Sequence, residues 1–160
     1  MKIYIKSETK IHPFDEESED EMPLEEEHDR YSVMDNVEQA FKDSNIRPDR
    51  NKKLSRVIEV DGKIVGGVYT SLTNDGNDGM EFSFDVAISP AYRAKNNQGL
   101  GDRTIIRILD DVMQEFRNYQ MEMNNVHCKL IVVNRKLVNI LENRYGFEIE
   151  PCGGQWIATK

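Results

Sequence analysis

The stretch DVAISPAYRAKNNQGLGDRTIIRILDDV, residues 85–112, decides how the rest of the chain is read. Its first residues complete an alternation that begins just upstream. Phe82, Phe84, Val86 and Ile88 fall on one side and Glu81, Ser83, Asp85 and Ala87 on the other, the period of a strand with one apolar and one polar face. Pro90 ends that strand, having no N–H to give to a ladder. Further on, Ile105, Ile106, Leu109, Val112, Met113 and Phe116 recur at helical spacing, a stripe fit to pack on a sheet. Between strand and helix, Gln98, Gly99, Leu100 and Gly101 run straight into the helix start. Glycines there let the backbone approach a ligand and turn several N–H groups toward one point. Added to the helix dipole, those groups make an anion site suited to a phosphate. A Gly-x-Gly pair alone is more often a plain strand-to-helix turn. The strand, the proline, Arg93 and the helix around it raise the phosphate reading.

Outward from this segment, the same rules order the remaining elements. Ile3, Tyr4 and Ile5 are expected to form a short first strand, with Pro13 and Pro23 as breakers after it. Tyr31, Met34, Val37 and Phe41 predict a helix that Ser32 can cap. Two strands over 56–60 and 64–70 are joined by Asp61 and Gly62, a strong hairpin signal. Gly66 and Gly67 inside the second of them point to a bulge or a close backbone approach. Residues 128–133 read as a fully buried strand, and Leu137, Val138, Ile140, Leu141 and Tyr145 as a helix stopped by Gly146. Residues 148–150 and 156–158 predict a closing hairpin across PCGGQ. The order β, α, β, β, β, α, β, α, β, β implies a mixed sheet with helices on its faces, an α/β (mixed α+β) domain over 1–160.

Composition limits the chemistry. Residues 15–29 hold ten of the 29 acidic residues and no Lys or Arg, which leaves 19 against the 21 Lys and Arg elsewhere. The net charge of −8 is thus a nearly neutral globule with one acidic strip, DEESEDEMPLEEEHD, expected to be a solvated loop. Such a strip repels phosphate backbones and attracts cations, so no nucleic-acid partner is expected. No apolar run approaches the roughly 18 residues of a membrane helix. MKIYIKSETK lacks the apolar core of a signal peptide, and cytoplasmic residence with Cys128 and Cys152 reduced is the expectation. Two cysteines and scattered His12 and His28 offer no metal-ligand spacing, so no metal is expected.

Taken together, the motifs resemble those of the GCN5-related N-acetyltransferases (GNAT). That family's central motif is an apolar strand ending before a proline, an aromatic-Arg pair, and a Q/R-x-x-G-x-G/A loop opening a helix. Ile88, Ser89 and Pro90 match the strand end, Tyr92 and Arg93 the pair, and Gly99, Leu100 and Gly101 the glycine loop. A second signature, an Asn-led helix closing on Gly-Phe before a strand, is similar to NRKLVNILENRYGFEIE, residues 134–150. The order of elements fits from end to end. There are departures: the loop between Arg93 and Gly99 is longer than the common form, Asn96 stands where the family has Gln or Arg, and Glu142 stands where many members carry a tyrosine general acid.

The resemblance implies a central mixed, mostly antiparallel sheet of six to seven strands with helices on both faces, and acetyl-CoA as co-substrate. Arg93, Asn96, Asn97, Gln98, Gly99, Leu100, Gly101 and Asp102 would cradle the pyrophosphate. The pantetheine arm would run beside Val86, Ala87 and Ile88, which needs that strand to splay from the strand at 130–133. An attacking alkyl amine must lose a proton, its pKa lying near 10, so a base is needed. Asp85 and Glu81 on the polar face of the strand are the candidates, and Glu142 is a candidate acid for the leaving thiolate beside solvent. The partners implied are coenzyme A and an amine acceptor, cationic if the acidic strip walls the acceptor side. A second copy of the chain and a basic protein stay open. The alternative is a catalytically weak GNAT-fold interaction protein using the strip to hold a basic partner.

Overall fold

The computed structural model describes residues 9–13, 24–92 and 100–160. In chain order the elements are β1 (Thr9–Pro13), α1 (Leu24–Asp43), β2 (Lys53–Val60), β3 (Lys63–Asn74), β4 (Met80–Ile88), α2 (Leu100–Glu122), β5 (Val126–Val132), α3 (Arg135–Tyr145), β6 (Glu148–Cys152) and β7 (Gln155–Thr159). A single 3-10 turn over Pro90–Tyr92 follows β4. Hydrogen-bonded strand order is β1-β2-β3-β4-β5-β7-β6. β4 and β5 run parallel, whereas β1/β2, β5/β7 and β6/β7 are antiparallel. The connections from β2 to β3 and from β3 to β4 are too short for a parallel crossover, so these pairs are antiparallel as well. This is the mixed, mostly antiparallel α/β architecture expected from the motifs. Packing divides the chain into two compact units, Met1–Tyr69 with Asp85–Ile105 and Thr70–Phe84 with Ile106–Lys160, each threaded by parts of β3, β4 and α2.

In the first unit, β1 pairs with β2 from Thr9↔Val60 to Pro13↔Arg56. Pro13, expected as a breaker, is instead the last residue of β1, a position open to proline because β1 ends the strand order. The strand expected around Ile3 and Ile5 lies outside the described residues. Asp61 (φ 52°) and Gly62 (φ 79°) both take left-handed backbone, as a two-residue hairpin with the twist of its strands requires. Gly67 allows α1 to approach: a Cβ there would stand 2.8 Å from Val37 Cγ1 and 2.9 Å from the Arg56 carbonyl oxygen.

The helix expected from Ser32 begins eight residues earlier, at Leu24, so Ser32 is interior rather than a cap. The last six residues of the acidic strip accordingly belong to α1, which starts directly after the helix-breaking Pro23; residues 14–23 lie outside the described set. Val37, Ala40 and Phe41 are buried; Val37 and Phe41 form a core cluster with Leu54, Val57 and Ala87, against which Val33, Met34, Ile64 and Tyr69 pack. The Phe41 and Tyr69 rings meet edge to face at 5.0 Å.

In the second unit, Phe82 stacks on Phe116 of α2 at 5.9 Å and touches Tyr119 at 5.8 Å. Ile108, Leu109, Val112, Met113 and Phe116 are the inward stripe of α2. β5 is not the fully buried strand its apolar run implies. Its residues alternate between buried and exposed, and Ile131 stands 64% exposed. β-Branched, apolar sequence sets the strand, but among the described residues cover reaches only one of its faces. Asn134 caps α3 by accepting from the Lys136 and Leu137 N–H groups, and Gly146 (φ 73°) closes it in the left-handed region. Gly153 and Gly154, both at positive φ, turn β6 into β7.

Candidate functional site

β4 spans Met80–Ile88, the bounds its alternation predicts. Its ladder with β5 comprises Met80↔Val126, Glu81↔His127 and Phe82↔Cys128, and from Lys129 onward β5 pairs with β7. The strand therefore continues six residues beyond the end of that ladder. In this second half lie Asp85, one of the candidate bases, and Val86, Ala87 and Ile88, expected to line the pantetheine arm, whereas Glu81 lies within the ladder.

Asp85 does not stand alone. Lys52, the residue before β2, places Nζ 2.8 Å from Asp85 Oδ2, and the two side chains are only 13% and 20% exposed. Lys52 thus fills one of the carboxylate's acceptor positions, on Oδ2, and Oδ1 keeps both of its lone pairs to accept from anything else. Ala87 and Ile88 are buried. The Ala87 carbonyl projects over β3, where a Cβ on Gly66 would stand 2.1 Å from its oxygen and 3.0 Å from Ile88 Cα. This is the close approach that the paired glycines announce. Beyond β4 the Ser89 N–H donates to the Val65 carbonyl at 2.7 Å and the Tyr92 N–H to the Ser89 carbonyl at 2.9 Å, which fixes how the chain leaves the strand.

Arg93, Asn96, Asn97, Gln98 and Gly99 lie outside the described residues. α2 begins at Leu100: Leu100, Gly101 and Asp102 are its first turn, so their backbone N–H groups have no acceptor within the helix. A helix of 23 residues also carries a full dipole with its positive end there.

In the second unit, Glu81 meets His127, its neighbour across the ladder, at 3.4 Å from Nε2, while His127 Nδ1 lies 3.5 Å from Asp75 Oδ2. Asp75 is held in turn by the Asn77 and Gly79 N–H groups at 2.7 and 3.1 Å. The Asn77 N–H is the main cause of a carboxyl held below the ordinary Asp value, with burial acting against it. Glu142 lies on α3 and is exposed. Tyr145, one turn on, is a packing residue as its place predicts: it is buried, and its hydroxyl donates to Asp110 Oδ1 at 2.5 Å. Arg144 grips the same carboxylate with two bonds, at 2.9 and 3.1 Å. Cys128 is buried, and its N–H and carbonyl pair with Lys160, while Cys152 is exposed on β6. Among the described residues no group of His, Cys, Asp or Glu could hold a metal ion, and no helix is long and apolar enough to cross a membrane.

Sequence reasoning singles out Asp85 and Glu81 as candidates but misses what each touches. Nothing in RPDRNKKL distinguishes Lys52 from Lys53, and His127 shows its relation to Glu81 only through the parallel register of β4 and β5.

No family model matches the chain, and no curated protein matches it. Among solved structures it is similar to Arabidopsis thaliana Naa50 in complex with a bisubstrate analogue, at 12% identity and a TM-score of 0.48, covering 95% of this chain and 97% of that one. An acetyltransferase from Thermus thermophilus gives 13% and 0.45, over 95% and 96% of the two chains. One from Streptococcus agalactiae gives 14% and 0.46, over 95% and 97%. At such identities and scores these likenesses decide neither fold nor chemistry.

Proposed function

We propose that the chain is an acetyl-CoA-dependent N-acetyltransferase of GNAT type, acting by direct transfer on a primary amine. The observation that carries this reading is the register of β4: its ladder with β5 ends at Phe82, yet the strand runs on to Ile88. Extended backbone beyond a terminated ladder suits an added extended ligand arm. The start of α2 at Leu100 supports it, because first-turn amides and the dipole suit a diphosphate. The loop at Arg93–Gly99 would supply the remaining contacts. Acetyl-CoA, when bound, brings the activated thioester.

The chain's own part is to bind, orient and move a proton. Asp85 is the base: its Oδ1 accepts the amine proton while Lys52 keeps Oδ2 fixed. A backbone N–H near Val86 serves the tetrahedral oxyanion. With Glu142 exposed where the resembled family has a tyrosine, solvent protonates the thiolate, and positioning supplies much of the rate. The acidic strip favours a cationic acceptor, small molecule or peptide, by long-range attraction. Cytoplasmic residence is part of the proposal, on the expectation that Cys128 and Cys152 stay reduced.

The missing tyrosine also favours a second reading, an interaction protein indifferent to CoA that uses its strip to hold a basic partner. Thermal denaturation with increasing acetyl-CoA separates the two. A ligand of the native state raises stability by about 2.7 kcal/mol at one hundred times its Kd. A rising midpoint, with free thiol released when amines are added, is expected of the transferase. An unmoved midpoint would leave the interaction protein.

A further inference from the structure

The candidate base is already paired. Lys52 Nζ and Asp85 Oδ2 lie 2.8 Å apart in side chains 13% and 20% exposed, both within the same compact unit. Two opposite charges this close and this far from water cancel beyond a few ångströms. An alkylammonium approaching Oδ1 meets a site of no net charge, and the Lys52 ammonium opposes it directly. A neutral amine has no such opposition, since it needs only a hydrogen-bond acceptor and Oδ1 supplies one.

We infer that Lys52 is a specificity-determining residue that makes Asp85 a seat for a neutral amine rather than for an ammonium ion. The inference rests on the acyl-transfer reading for the place of Asp85, and it goes beyond that reading in assigning the protonation state of the acceptor that is bound. The acidic strip then concentrates cations near the protein, and Lys52 admits only their deprotonated fraction to the carboxylate. In the transfer itself the amine nitrogen forms the N–C bond as the C–S bond breaks, its proton passes to Asp85, and the thiolate departs with the electron pair.

Two opposite substitutions test this, with calorimetric binding of butylammonium in the presence of CoA and the acceptor KM as readouts. Lys52→Met leaves Asp85 unopposed and is expected to tighten butylammonium binding by at least about fivefold, the lower bound set by one charge at about 4 Å under full water screening. Asp85→Asn leaves Lys52 unopposed and is expected to weaken it by a similar factor. Should Lys52→Met fail to fold, Lys52→Gln, which removes the charge but keeps a hydrogen-bond donor for Asp85 Oδ2, carries the test with the same expected tightening. An aryl amine, uncharged at neutral pH, is expected to bind all forms alike, and Lys52→Arg is expected to behave as the parent. Alkylammonium and aryl amine affinities that move together, or an alkylammonium affinity that moves with neither substitution, would overturn the role of Lys52. A parent protein that releases no thiol from acetyl-CoA with any amine would instead overturn the transferase reading, and the role of Lys52 with it.

Discussion

Gly66 lies so close beneath β4 that a β-carbon there would stand 2.1 Å from the Ala87 carbonyl oxygen. The obstructing atoms are backbone on both counts, since Ile88 Cα follows at 3.0 Å, so no side-chain rotation relieves the clash. Gly66→Ala is therefore expected to displace the second half of β4 and to cost on the order of 1–3 kcal/mol, read from the urea midpoint. Gly62, whose φ of 79° disfavours any side chain but whose surroundings are open, is the control: Gly62→Ala strains the turn without moving Ala87. If β4 carries the pantetheine arm, the first substitution weakens acetyl-CoA binding and the second does not.

The cluster joining α2 to α3 gives stability two opposed pH limits. Arg144, and then the Tyr145 hydroxyl, hold the Asp110 carboxyl below its ordinary value. A depressed carboxylate contributes stability that is complete above the unfolded Asp value near 3.9 and is lost as pH falls through the lower folded value. Burial, and then Asp110, push the Tyr145 hydroxyl up to about 12. A raised tyrosine contributes below its unfolded value near 10 and loses that contribution as pH rises toward 12. Tyr145→Phe should remove the alkaline limb at a cost of about 1 kcal/mol at neutral pH. Asp110→Asn should flatten the acid limb. Denaturant midpoints from about pH 2 to about pH 12 would check both.

Much of this architecture is legible in the sequence where the local signal and the tertiary demand agree. Alternation fixes β4, Asn134 and Gly146 bound α3, and Asp61 with Gly62 make their turn. The reading fails where only the partner decides. Residues 24–31 carry no apolar stripe, so the early start of α1 is invisible in a pattern search. The run CKLIVV looks buried on both sides, yet only alternate residues of β5 find cover. The site divides in the same way. Asp85 and the start of α2 follow from motif spacing, whereas the Lys52 bond spans 33 residues and depends on where the sheet sets the start of β2 relative to β4.

Three carboxylates compete for the chemistry, and neutral isosteres rank them. A general base contributes about 100-fold or more, so Asp85→Asn is expected to lower kcat at least that far while acetyl-CoA affinity holds. Loss of the ion pair also destabilises the fold, by less than the roughly 3 kcal/mol of a fully buried pair, because Lys52 is left half-buried without its partner. Glu81→Gln should leave kcat largely intact, its role being the contact with His127. Glu142→Gln, on the exposed face of α3, should change neither constant. A large kcat loss in Glu81→Gln with Asp85→Asn nearly active would move the base to Glu81.

The proposed anion site can be probed without disturbing the helix at whose start it would lie. Leu100 is the first residue of α2, where proline is well tolerated because the N–H it lacks has no acceptor in the helix and its fixed φ is already helical. Leu100→Pro thus deletes one donor from the first turn and keeps the dipole. If that amide faces the diphosphate, one charge-assisted hydrogen bond of about 1.5 kcal/mol is lost, close to tenfold in Kd for acetyl-CoA. Pantetheine, which carries the thiol arm but no diphosphate, should bind parent and variant alike. Equal losses for both ligands would mean that the substitution acts on β4 rather than on the phosphates, and an unchanged acetyl-CoA affinity would remove the start of α2 from the site.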